Sequence, residues 1–205
     1  IIIAAVRLSY VETDHEGVFM NLLGILFVAF VFACSAVGTC GQMKAAERSR
    51  TEPVAAGQTA PDFTLNDHNG QSVTLSKLGR PSVVVFYRGY WCPFCAKQLA
   101  DLRGLLNAGE NVEMFAISVD PAEKSRGLIS KIEKDGKGKV PFRLLSDPDG
   151  KTIDAFGVYD MSYAGKGFDG IPRASVFVID GQGKVVWARV ETDYKQRPTL
   201  DEIRA

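Results

Sequence analysis

Cys92 and Cys95, three residues apart in "FYRGYWCPFCAKQL" (86–99), are the side chains of this sequence best placed to do chemistry. Such a pair can crosslink the chain, hold half of a metal site, or cycle between dithiol and disulfide. A crosslink spanning so short a loop removes little entropy from the unfolded chain. A tetrahedral metal site needs two more ligands. The remaining candidates are Cys34 and Cys40, far upstream in a different kind of segment, and His15 and His68, neither near the pair. Redox chemistry is the use the surroundings favour. Pro93 suits the first position of a helix, which makes Cys92 the N-cap and Cys95 the third helical residue. Both sulfurs then lie near unpaired N–H groups at the positive helix end, where a thiolate is stabilised. Their spacing also puts them on one helical face, so a reversible disulfide is within reach.

The elements that must position the pair can be read on either side of it. "DFTL" and "SVTL" are short β-like runs around the turn "NDHNGQ", which predicts a hairpin with His68 in its turn. "SVVVF" (82–86) is an unbroken β-branched run, as expected of a strand covered on both faces. After the cysteines, Leu99, Leu102, Leu105 and Leu106 recur at helical spacing. "VEMFAISV" reads as a second buried strand, and "PAEKSRGLISKIEKDG" as a helix opened by proline and closed by glycine. "FRLLSD" is extended, "DGKTIDAFGV" helical, and "SVFVIDGQGKVVWARV" two strands around a glycine turn. "RPTLDEIRA" is expected to begin a last helix. Phe86, Phe115, Phe177 and Trp187 are assigned to the core, and Asp120 and Asp147 to strand-end and turn positions without a catalytic role. The expected fold is α/β: a central mixed β-sheet flanked by helices, with an N-terminal β-hairpin extension. A CxxC between a buried strand and a helix in such a unit reads as a thioredoxin-like redox site.

Composition narrows the function further. The 205 residues suit one domain with a sizeable core. Lys and Arg total 24 against 24 Asp and Glu, with no long basic run, which argues against a nucleic-acid partner. Four cysteines are too few for a disulfide scaffold. Residues 1–19 precede the first methionine and are expected to be upstream or artefactual, with Met20 the start. The apolar run Leu22 to Ala33 has the length of a signal-peptide core rather than of a spanning helix of about 20 residues. "VFAC" (31–34) resembles a bacterial lipobox, which makes Cys34 a lipidation candidate. Residues 20–40 are therefore expected to be a signal peptide or membrane anchor, 41–56 a polar linker, and 57–205 the folded domain. The expected location is outside the cytoplasm, with a tether to the membrane as one form of it and a cytoplasmic protein as the alternative.

"GQTAPDFTLNDHNGQSVTLSKLGRPSVVVFYRGYWCPFC", "FAISVDPAEKSRGLISKIEKDGKGKVPFRLLSDPDGKTIDAFGV" and "PRASVFVIDGQGKVV" together resemble the alkyl hydroperoxide reductase/thiol-specific antioxidant group, the peroxiredoxin-like proteins of the thioredoxin superfamily. The resemblance covers about residues 57–190. It implies a thioredoxin-like fold, a peroxide or disulfide substrate, a thioredoxin-like protein as thiol donor, and no cofactor or metal. It leaves two orders of attack open. Thioredoxin-type proteins attack with the first cysteine, here Cys92. The peroxiredoxin pattern Pro-x-x-x-Thr-x-x-Cys, aligned without gaps, falls on Arg88, Cys92 and Cys95, and so selects Cys95 for the peroxide. This chain departs from that pattern by having Arg88 for the proline and Cys92 for the threonine.

Arg88 and Arg173 are the arginines expected to support a thiolate or bind a peroxide oxygen. Arg173 follows Pro172 in "PRAS", beside the segment that carries the superfamily's cis-proline or arginine. Tyr90 and Trp91, with Pro172, are expected to flank the site as an apolar platform. Cys92, as N-cap, is expected to be the more exposed sulfur and Cys95 the more sheltered. The functional expectation is a thiol-dependent redox enzyme that reduces peroxides, protein disulfides or both. A copper-carrier module on the same fold and a non-catalytic tethered adaptor are the alternatives. The first would want a distant histidine, and none follows His68. The second would not need both cysteines.

Overall fold

The computed structural model describes residues 52–167 and 170–205. Cys34, Cys40, the segments 1–19 and 20–40, and most of the linker lie outside the described residues. Seven strands form one mixed sheet in the order β2-β1-β5-β4-β3-β6-β7. These are β1 (Thr64–Asp67), β2 (Ser72–Thr74), β3 (Ser82–Phe86), β4 (Glu113–Ser118), β5 (Arg143–Ser146), β6 (Ser175–Ile179) and β7 (Val185–Val190). The helices are α1 (Pro93–Asp101), α2 (Ala122–Glu133), α3 (Lys151–Ala155) and α4 (Leu200–Arg204), with short 3₁₀ turns at 75–77, 102–104 and 161–163.

The central strand shows why an unbroken apolar run was needed. β3 pairs parallel with β4 and antiparallel with β6, and all five of its residues are buried. Successive side chains point to opposite faces. Val84 and Phe86 join one core with Phe115, Phe156 and Phe177. Val83 and Val85 join the other, with Leu99, Leu102, Met114, Leu128 and Leu144. The first core is aromatic, with the Phe156 ring 5.0 Å from Phe86 and 5.1 Å from Phe177. The second holds α1 and α2 against the sheet and contains both cysteines.

The predicted hairpin pairs Thr64 with Thr74 and Asn66 with Ser72. His68 sits in its turn and ties it to β5, where the Leu144 N–H donates to His68 Nδ1 at 3.2 Å. The chain closes on a capping box, with the Thr199 hydroxyl and the Glu202 carboxylate each taking up the other's backbone N–H.

Two expectations are corrected here. The linker was placed at 41–56, yet Val54 is 1% exposed and packs in the aromatic core. Its N–H donates to the Phe156 carbonyl at 3.0 Å. Gly157 turns at φ +68°, and a Cβ there would lie 2.0 Å from the Glu52 carbonyl oxygen, so the two segments are in direct contact. One apolar residue in a polar, aperiodic stretch carries no periodic signal, and its burial is decided by that contact alone. Trp187, assigned to the core, is only partly buried against it.

Candidate active site

β3 ends at Phe86, and the next residues turn the chain into α1. The Tyr87 N–H extends the ladder by donating to the Ile117 carbonyl at 3.0 Å. Cys92 N–H then donates to the Gly89 carbonyl at 3.1 Å, closing a tight turn. Gly89 has φ +152°, and a Cβ on it would meet the Trp91 indole nitrogen at 2.6 Å, so the turn has room for glycine only unless Trp91 moves. Pro93 occupies the first helical position and Cys92 is the N-cap, as its sequence context requires.

The two thiols are unpaired and both buried, Cys92 at 1% and Cys95 at 0% exposure. Cys92 keeps its expected place as the more exposed sulfur only narrowly, being almost as sheltered as Cys95. An N-cap position sets the backbone, but Cys92 lies inside the second core, beside a roof of aromatic residues around Arg88. That arginine is 4% exposed rather than solvated. Its guanidinium lies 5.1 Å from the Trp91 ring, 4.9 Å from Tyr163 and 4.3 Å from Tyr194, and it donates to the Tyr163 hydroxyl. A delocalised, weakly hydrated cation fits an aromatic cage of this kind. Tyr90 and Trp91 are exposed, together with Phe94 and Tyr194, whose rings meet edge to face at 5.7 Å.

The arginine in direct contact with a sulfur comes from the far end of the chain. Arg197 Nη2 donates to Cys95 Sγ at 3.4 Å, and its Nε donates to Gln98 Oε1 at 2.7 Å, one helical turn beyond Cys95. Arg173 is held elsewhere, with Nη2 donating to the Gly157 carbonyl at 2.7 Å. Pro172 is buried and bridges to Tyr159. Neither Arg197 nor the cage tyrosines stood out in the sequence. The one local signal near Arg197 is the start of a last helix in "RPTLDEIRA".

These surroundings separate the two thiols. Cys92 is drawn down to about 6, chiefly by the neighbouring Cys95 thiol, then by the Cys95 backbone N–H and by the charges of Arg88 and Arg197, against a cost from burial. The Cys95 N–H acts here as a nearby dipole, since Cys92 makes no full capping bond. Cys95 is pushed up by the same pairing, by burial and by the charge on Cys92. At neutral pH these shifts favour the thiolate at Cys92 and the protonated thiol at Cys95.

An open groove of about 570 Å³ runs along α1, lined among others by Phe94, Lys97, Gln98, Lys195 and Arg197. Residues 56–188 match the AhpC/TSA family. The chain belongs to the AhpC/TSA family. Peroxiredoxin Bcp of Escherichia coli K12 is 38% identical over 139 residues, which are 65% of this chain and 83% of that protein. Among solved structures, peroxidoxin BcpB of Mycobacterium tuberculosis aligns with a TM-score of 0.58 and 28% identity, over 69% of this chain and 90% of that one. A peroxiredoxin-like protein of Aquifex aeolicus shares the fold, with a TM-score of 0.64 at 19% identity over 74% and 85% of the two chains. This AhpC/TSA member accordingly has a thioredoxin-like fold and is a thiol-dependent oxidoreductase. The copper-carrier alternative finds no support among these relatives.

Proposed function

We propose that the chain reduces peroxides with Cys92 as the attacking thiolate and Cys95 as the resolving thiol. The observation that carries this reading is the division of the pair into a stabilised thiolate at Cys92 and a held proton at Cys95. The Cys92 thiolate attacks the terminal oxygen of a hydroperoxide. A sulfur–oxygen bond forms, the peroxide O–O bond breaks, and the departing alkoxide or hydroxide takes a proton. Sulfur is oxidised to a sulfenic acid and the peroxide is reduced to an alcohol or water. Cys92 then carries no negative charge, which removes one cause of the raised Cys95 pKa. Cys95 loses its proton and attacks the sulfenic sulfur, releasing water and leaving the Cys92–Cys95 disulfide. A dithiol donor of the thioredoxin kind returns both electrons by exchange.

This order differs from the gapless peroxiredoxin alignment, which selects Cys95 for the peroxide. Mass spectrometry of single-cysteine variants after brief peroxide treatment tests it. Cys95→Ser should accumulate sulfenic acid on Cys92. Sulfenic acid forming on Cys95 in Cys92→Ser, at the rate of the wild-type protein, would reverse the order.

The apolar run 22–33 and the lipobox-like "VFAC" support an exported, membrane-tethered placement, with Cys34 as the acylated residue. Membrane fractionation of the full chain against Cys34→Ala tests it, and equal release of both into the soluble fraction would remove the anchor.

A further inference from the structure

Asp120 lies just beyond β4, on an element with no covalent part in the site. It is 6% exposed. Its Oδ2 accepts the backbone N–H of Tyr90 at 2.7 Å. Tyr90 stands in the middle of the turn that delivers Cys92, between Gly89, whose carbonyl takes the Cys92 N–H, and the helix cap. The carboxylate is itself held by its surroundings. The Asp120 N–H donates to Ser118 Oγ at 3.1 Å, and the Tyr87 hydroxyl, on the first residue after β3, helps hold the carboxyl pKa down against the burial that raises it. That hydroxyl also meets Ser125 Oγ of α2 at 3.4 Å. Lys124 of α2 supplies the facing positive charge and lies 5.2 Å from the Tyr90 ring.

A buried carboxylate is costly unless its hydrogen bonds are made. This one satisfies an amide in a glycine-containing turn at a residue, Tyr90, whose own side chain is exposed, so the bond to Asp120 supplies the anchorage that the side chain does not. We infer that Asp120 is a positioning residue for the redox site, fixing the 88–92 turn through the Tyr90 N–H so that Cys92 stays beside Cys95, Arg88 and the start of α1. Its effect on Cys92 is geometric, since the groups that set the Cys92 thiolate are Cys95, Arg88 and Arg197. An amide that keeps the acceptor should therefore serve as well as the carboxylate. The inference rests on Cys92 being the low-pKa thiol.

The test compares Asp120→Ala, Asp120→Asn and Tyr90→Pro in the reduced full chain by thiolate absorbance titration, and the wild type and the two Asp120 variants also by amide hydrogen exchange at Tyr90. Asp120→Ala should raise the lower thiol pKa by about one unit, a tenfold loss of thiolate below it, and speed Tyr90 exchange at least roughly tenfold. Asp120→Asn should leave both near the wild-type values. Tyr90→Pro, which deletes the donor and leaves Asp120 in place, should raise the thiol pKa as Asp120→Ala does, and it stands in if the alanine variant does not fold. An unshifted thiol in a folded Asp120→Ala or Tyr90→Pro overturns the inference, as does an Asp120→Asn that behaves like alanine. A wild-type protein without any low-pKa thiol overturns the reading of Cys92 and this inference with it.

Discussion

Arg197 donates to Cys95 Sγ from 102 positions further along the chain, and the same guanidinium is steered by Gln98 on the helix that carries Cys95. The last described loop thus reaches back to the first turn of α1, and its charge lowers both thiols. Replacing Arg197 by Met keeps much of the apolar stem and removes the charge and both donors. The lower thiol pKa should rise by about half a unit, which costs roughly threefold in thiolate below that pKa. Lysine should restore part of the charge effect but not the two-pronged hold on Gln98 and Cys95. Thiolate titration of the two variants beside the wild type checks this, and identical curves for all three would detach Arg197 from the site.

Arg88 offers a prediction with opposite signs for activity and stability. Its guanidinium is buried in the Trp91, Tyr163 and Tyr194 cage, and its Nε has no hydrogen-bond partner among the described residues. Desolvating a cation costs free energy that the cage offsets only in part. Arg88→Met fills a similar volume without a charge to desolvate. Chemical denaturation should show stability within about 1 kcal/mol of wild type or higher. Peroxide turnover at pH 6 should fall severalfold, because one of the charges holding Cys92 as thiolate is gone. A parallel loss of both would mean that Arg88 acts through the fold and not through the thiol.

The pH dependence follows from the sign of the Cys92 shift. A thiol drawn down to about 6 is ionised above that pH and protonated below it. The rate of peroxide reaction should be flat from about pH 7 upward and fall tenfold per pH unit well below 6. The Cys92 contribution to stability has the same sign: it is fully present above the unfolded thiol value near 8.5 and is lost as pH falls through 6, while Cys95, pushed up, withdraws stability as pH rises past that unfolded value. Stopped-flow rates in single-turnover conditions read the first effect directly. A midpoint near 8.5 would show a thiol with no help from its surroundings.

Local chemistry in the sequence carried much of this architecture. "SVVVF" became β3 residue for residue, because a strand covered on both faces must be apolar throughout. Pro93 set the helix start, and with it the positions of both sulfurs. What escaped is everything that depends on residues distant in the chain meeting in space. Arg197, Tyr163 and Tyr194 have no local pattern that ties them to a cysteine, and Asp120 looked like any strand-end carboxylate. Arg173 sat where a family pattern drew attention, yet its side chain turns to the Gly157 carbonyl. Cys92 is nearly as sheltered as Cys95 because its side chain joins the second core, which its N-cap position alone does not reveal.

Val54 gives the test of where the fold begins. It lies in the stretch that composition assigns to a linker, yet it is sealed in the aromatic core and bonded through its N–H to Phe156. Phe156 in turn packs on Phe86, the last residue of the strand that leads into the redox turn. Val54→Ala removes two methyl groups from that core, and the loss plus the cavity left behind should cost about 1.5–3 kcal/mol. The backbone bond to Phe156 survives the change, so the effect isolates packing. Urea denaturation of the variant against wild type measures it, with an unchanged slope expected since the surface exposed on unfolding is nearly the same. A cost below about 0.5 kcal/mol, the size of an ordinary surface substitution, would return residues before Gly57 to the linker.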